Sequence, residues 1–253
     1  MLKLIQPFAA SSGRVRSFQP FQLLGKCLSL LLLVGATQVH AQAPNLTYAA
    51  PITITQGGTY TGNYRSTSSS VPAITISTTQ PVTLVNCTLV GPGNLIFSPV
   101  QNADLTVREC RGYGDTPTAD NTARGVFLYM FRGQNLVLEH NYIERNQGIV
   151  LNLWTGDGSS NQTVKIRYNR VVNFDGSYRN NPSHSQAGFQ LNAVLGLANA
   201  EIAWNQIINE AGQSIVSDNF NIYDSGGTPA SPTTMCRALT PFRPPARILM
   251  VRA

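Results

Sequence analysis

The chain has 253 residues, of which 42% are hydrophobic, 8% aromatic and 12% charged. That charged fraction is about half the usual share for a soluble domain and excludes a charged helical array. The net charge of +6 misleads: four of the 18 Lys and Arg residues precede residue 42 and four more lie in the last 17 residues, while all 12 acids lie between. The stretch 42–236 therefore carries ten cations against 12 acids, which excludes a nucleic-acid partner.

Residues 1–26 contain Lys3, Arg14, Arg16 and Lys26 without an acid, and lead into the apolar run CLSLLLLVGA at 27–36. This is the layout of a Sec signal peptide. The run is too short to span a bilayer, and Val39 and Ala41 supply the small residues a signal peptidase requires, so cleavage is expected after Ala41. Because Cys27 opens the run instead of following it, no membrane anchor is expected. A secreted or periplasmic protein follows, with a buried N-terminal helix as the alternative. Removing 1–41 leaves Cys87, Cys110 and Cys236, with no CxxC and no Cys/His cluster, so a structural zinc site is not indicated.

One eight-residue phrase recurs at 82–89 (VTLVNCTL), 105–112 (LTVRECRG), 136–143 (LVLEHNYI), 164–171 (VKIRYNRV) and 200–207 (AEIAWNQI). Positions one and three are apolar throughout and positions two, four and five mostly polar, the period of a half-buried strand. The sixth position reads Cys87, Cys110, Asn141, Asn169, Asn205. Inward Asn side chains stacked on successive turns can bridge the backbone above and below as a ladder. A second phrase follows each first: GNLIF (93–97), GVFLY (125–129), GIVLN (148–152) and GFQLN (188–192). Its leading Gly suggests a corner with positive φ. Two strands per turn with no helical period describe a parallel β-solenoid, with PITIT (51–55) and AITIS (73–77) as its first turns. A Greek-key sandwich is the runner-up, but it does not produce an in-register Asn column.

The repeat, with its Asn column and corner glycines, resembles the right-handed parallel β-helix of pectate-lyase-like secreted proteins over about residues 50–230. The resemblance implies an all-β, right-handed parallel β-helix over 42–232. It implies no single activity, because that fold hosts lyases, hydrolases, epimerases and non-catalytic adhesins. Residues 233–253 are Arg- and Pro-rich, contain no acid and leave the repeat. They are expected to be a truncated or out-of-frame tail, or else an irregular cap.

Stacking sets the columns. Position four places Arg108, Glu139 and Arg167 in an outward ladder of alternating sign, either a subsite for an acidic sugar or a solvated ion-pair row. Position five gives Asn86, Glu109, His140, Tyr168 and Trp204, a mixed column able to line a groove. On the second phrase Phe97, Tyr129, Asn152 and Asn192 are expected in one outward column, with Phe131 and Trp154 two residues along. Exposed aromatics of this kind stack on sugar rings, unless an inserted loop or a second copy of the chain covers them.

Two long insertions, 112–125 and 173–188, carry Asp115, Asp120, Arg124, Asp175, Tyr178, Arg179 and His184, and loops on a rigid scaffold are the usual place for binding and catalysis. Lyase chemistry on a uronate needs its carboxylate neutralised and a base for the C5 proton. Arg124 and Arg179, or Ca²⁺ on Asp115, Asp120 and Asp175, could neutralise, with Tyr178 or His184 moving the proton. No carboxylate pair is spaced for glycoside hydrolysis. The expected function is binding of an acidic polysaccharide, with β-elimination as the enzymatic form. The alternative is a non-catalytic extracellular β-helix module.

Overall fold

A computed structural model describes residues 43–157, 159, 161–185, 188–197, 199–226, 234–238 and 249–251. The expected signal peptide, its expected boundary at Ala41 and most of the tail lie outside the described residues. No helix occurs among those described. Their strands form three long sheets whose neighbours are one solenoid turn apart, the arrangement of a parallel β-helix.

The first sheet stacks Ile52–Ile54, Ile74–Ile76, Ile96–Ser98, Leu128–Phe131, Gly148–Asn152, Gly188–Asn192 and Phe220–Tyr223. The second stacks Gly58–Tyr60, Val82–Val85, Asp104–Arg108, Asn135–Glu139, Thr163–Arg167 and Asn199–Ala203. The third runs from Asn63–Arg65 through Thr88–Gly91, Arg111–Gly114, Tyr142–Glu144 and Arg170–Val172 to Gln206–Ile208. In the tail, Thr234–Ala238 pairs parallel to Gln206–Ile208, and Leu249–Val251 pairs antiparallel to Thr234–Ala238.

Each turn thus has three strands, not two, because the eight-residue phrase is broken at its fifth position. Asn86, Glu109, His140, Tyr168 and Trp204 all adopt left-handed φ, between 53° and 60°. That geometry turns the chain from the second sheet into the third. Left-handed residues also mark the corner after the first sheet (Arg132, Leu153, Ala193, Asp224) and after the third (Arg145, Asn173).

The corner glycines divide into two kinds. Gly148 and Gly188 have φ of 104° and 121°, as their recurrence suggests. Gly93 and Gly125 do not; there stacked turns touch, and a Cβ on Gly125 would lie 2.0 Å from the carbonyl carbon of Gly93.

Inside, Ile74, Ile96, Leu105, Leu128, Leu136, Leu138, Val164 and Ile166 are fully buried, each contributing about 1.5–3 kcal/mol. The ladder closes the second-to-third corner. Asn141 Nδ2 donates to Val107 O (3.0 Å) and to Asn169 Oδ1 (2.9 Å). Asn169 Nδ2 donates to Leu138 O (2.8 Å) and to Asn205 Oδ1 (2.9 Å). Cys87 and Cys110 continue the column as buried free thiols, where the Cys87 N–H points at Cys110 Sγ over 3.4 Å. Hydrogen bonding with Cys87 and then burial push the Cys110 thiol up.

Candidate functional site

The outer face of the first sheet is assembled by strand register. Phe131 aligns with Asn152, Asn152 with Asn192, and Asn192 with Tyr223. Beside this column runs another of Phe97, Tyr129, Val150, Gln190 and Asn221. Tyr129 therefore sits opposite Val150, two residues from the expected partner Asn152. The shift keeps both side chains outward because strands have period two, and Asn152 Nδ2 reaches diagonally to Tyr129 Oη at 2.7 Å. Phe97 and Tyr129 rings pack tilted at 5.7 Å, and the Arg132 guanidinium lies 4.9 Å over the Phe131 ring, a cation–π contact.

Trp154, expected on this face, is instead 0% exposed and part of the core. The left-handed Leu153 (φ 52°) ends the strand and reverses the alternation, so the indole points inward. Its Nε1 has no hydrogen-bond partner among the described residues. Tyr223, 70% exposed, takes the aromatic role at the far end, and its register could be found only once the strand 220–223 was placed on the first sheet.

Both insertions leave the corner between the third and first sheets, and they pair with one another. Asn121 N donates to Arg179 O (2.9 Å), Arg179 N to Thr122 O (3.0 Å), and Ala123 bridges Tyr178. The strands Ser177–Tyr178 and Asn181–His184 make a small hairpin within this lobe.

The lobe's charges are absorbed by its own structure. Arg124, expected as an exposed substrate contact, is buried. Its Nε lies 2.7 Å from Asp175 Oδ2 without the alignment of a hydrogen bond, while Nη1 donates to Gly114 O and Nη2 to Thr116 Oγ1. Burial lowers its basicity, and the neighbouring Asp175 partly restores it. Arg179 Nε meets Asp120 Oδ1 at 3.2 Å, and Asp115 Oδ2 meets Arg65 Nη2 at 3.5 Å. The three aspartates expected as cation ligands thus face three different arginines. No cluster of three His, Cys, Asp or Glu side chains able to hold a metal occurs among the described residues. His184 is exposed at the end of the hairpin and Tyr178 half-buried inside it.

A cleft of about 150 Å³, lined by Ala43, Tyr113, Gly114, Asp115, Thr116, Glu144 and Arg145, lies beside this lobe. Glu144 is buried there and accepts a 2.7 Å hydrogen bond from Tyr142 Oη. Burial, and then this bond, raise the Tyr142 hydroxyl above its ordinary range.

On the second sheet, register places Arg108, Glu139 and Arg167 in the expected ladder. Arg167 gathers both nearby carboxylates, pairing with Glu139 and, at 3.0 Å, with Glu201. No family model, curated protein or solved structure matches the chain, so the functional reading rests on this geometry.

Proposed function

We propose that the chain is an exported, pectate-lyase-like β-helix that binds polysaccharide without cleaving it, holding the glycan along the outer face of the first sheet. The observation that carries the reading is the column Phe131, Asn152, Asn192, Tyr223. It has an aromatic ring at each end and two amides between, on consecutive turns. Sugar CH faces pack on aromatic rings, and amides offer both a donor and an acceptor to hydroxyl groups. Three turns at ~4.8 Å give the column a length of ~14 Å, enough for a short run of sugar rings parallel to the solenoid axis.

The β-elimination reading is less well supported, because Arg124 is buried against Asp175 and Arg179 is held by Asp120. Neither is free to neutralise a uronate carboxylate without first losing its partner.

The reading is tested by electrophoresis through gels containing polygalacturonate, alginate or a neutral glucan. Retardation in at least one gel is expected, with loss of it in Phe131→Ala and Asn152→Ala. Unretarded migration in all three overturns the reading. Ultraviolet-absorbing unsaturated product from a uronan would return it to a lyase.

A further inference from the structure

A different edge of the prism, the corner between the second and third sheets, carries a second feature. His140, Tyr168 and Trp204 occupy it on successive turns, all exposed, with Tyr168 48% and Trp204 60% accessible. His140 and Tyr168 lie 5.1 Å apart and Tyr168 and Trp204 6.5 Å apart by ring centroids, each pair within 7° of parallel. Those separations exceed the ~3.5–4 Å of overlapped carbon atoms; Tyr168 is flanked by a ring on each side, and Trp204 ends the aromatic row with 60% of its surface accessible.

Charge is concentrated here. Arg108, Lys165 and Arg167 lie on the second sheet and Arg111 and Arg170 on the third, against Glu109, Glu139 and Glu201. Within three residues of the corner positions 86, 109, 140, 168 and 204 thus lie five of the ten cations between residues 42 and 236 and three of the 12 acids, with Asp104 and Glu144 further out on the same two sheets. Two of those three acids, Glu139 and Glu201, are held by Arg167. Among the described residues Arg108, Arg111 and Arg170 make no ion pair. The corner is thus net positive on a repeat whose remainder is net negative.

We propose that this corner is a second glycan-contact site, which takes an anionic polysaccharide running along the solenoid axis. Sugar CH groups pack on the Trp204 ring and against the accessible part of Tyr168, and carboxylate or sulfate groups meet Arg170 and Arg111 through charge-assisted hydrogen bonds. The site is separate from the first-sheet face, and either can exist without the other. Together they would let one solenoid hold two chains.

The sequence provides the probe. Of two tryptophans, Trp154 is fully buried and Trp204 exposed, so acrylamide quenching of the intact protein reports on Trp204. Sodium polygalacturonate is expected to protect Trp204, less so as salt rises, and pullulan to leave it unprotected. Arg170→Ala is expected to weaken the protection about fivefold to tenfold, as a lost charge-assisted contact does, whereas Phe131→Ala leaves it intact. Trp204→Ala, followed by gel retardation, keeps the test independent of the reporter, and an unchanged thermal transition confirms folding. No protection by polygalacturonate, equal protection by pullulan, or protection only by single-stranded oligonucleotide overturns the proposal. Loss of protection in Phe131→Ala also overturns it, by assigning the signal to the first-sheet face.

Discussion

Arg124 Nε lies 2.7 Å from Asp175 Oδ2, with the two side chains only 6% and 10% exposed, and this pair ties the 112–125 insertion to the 173–188 insertion. It is a buried bolt between two loops that also meet through backbone hydrogen bonds such as Arg124 N to Ser177 O and through exposed side-chain contacts such as Arg179 with Asp120. Breaking a buried pair strands the remaining charge, whereas replacing both partners with apolar groups is often tolerated.

Arg124→Met is accordingly expected to cost about 3–5 kcal/mol in urea unfolding, and Arg124→Met/Asp175→Leu to recover most of it. Arg179→Ala, which removes a largely exposed pair with Asp120, should cost less than about 1 kcal/mol. Equal losses for Arg124→Met and Arg179→Ala would contradict the assignment of Arg124 to the interior.

The ladder offers a gain. Asn141 Oδ1 accepts from the Cys110 N–H at 2.9 Å, but one turn earlier the corresponding acceptor for Cys87 N is a sulfur at 3.4 Å. Cys110→Asn substitutes an amide oxygen for that weak acceptor and adds a donor beside Asn141. It is expected to stabilise the fold by about 1 kcal/mol. Asn169→Ala should do the opposite, by about 2–4 kcal/mol, since it leaves Leu138 O and Asn141 N without their partners. Chemical denaturation of both variants checks the pair, and destabilisation by Cys110→Asn would count against ladder continuity.

The two tryptophans separate core from surface. Trp154→Ala empties a core position and is expected to cost about 3–5 kcal/mol. Trp204→Ala removes only its stacking on Tyr168 and should cost less than about 1.5 kcal/mol. Similar unfolding midpoints for the two variants would overturn the inward placement of Trp154.

The Asn column was legible in the sequence because Asn141, Asn169 and Asn205 repeat at one position of one phrase; period-two alternation alone would turn that position outward, and the left-handed residue before it turns it inward. The third sheet was not legible, because its corner is made by residues as different as Asn86, Glu109, Tyr168 and Trp204. Left-handed φ usually announces itself through Gly or Asn, and a stacked turn that imposes it on any side chain leaves no such mark. Trp154 was misplaced for the same reason, since Leu153 gave no sign of the corner that turns it inward. The first-sheet register slipped by two because Gly125 and Gly148 look equivalent in sequence but serve different ends, close approach to Gly93 in one case and positive φ in the other. Arg124 read as a loop cation because its partner Asp175 lies in another insertion, 51 positions away in the chain.

The most direct test of the first-sheet face is calorimetric titration of the wild-type protein with oligosaccharides of increasing length, drawn from whichever polymer retards it in the gels. Affinity is expected to rise until the ligand spans the ~14 Å from Phe131 to Tyr223 and then to level off, with the rise shortened in Tyr223→Ala. Affinity independent of ligand length, or unchanged in both Phe131→Ala and Tyr223→Ala, would contradict it.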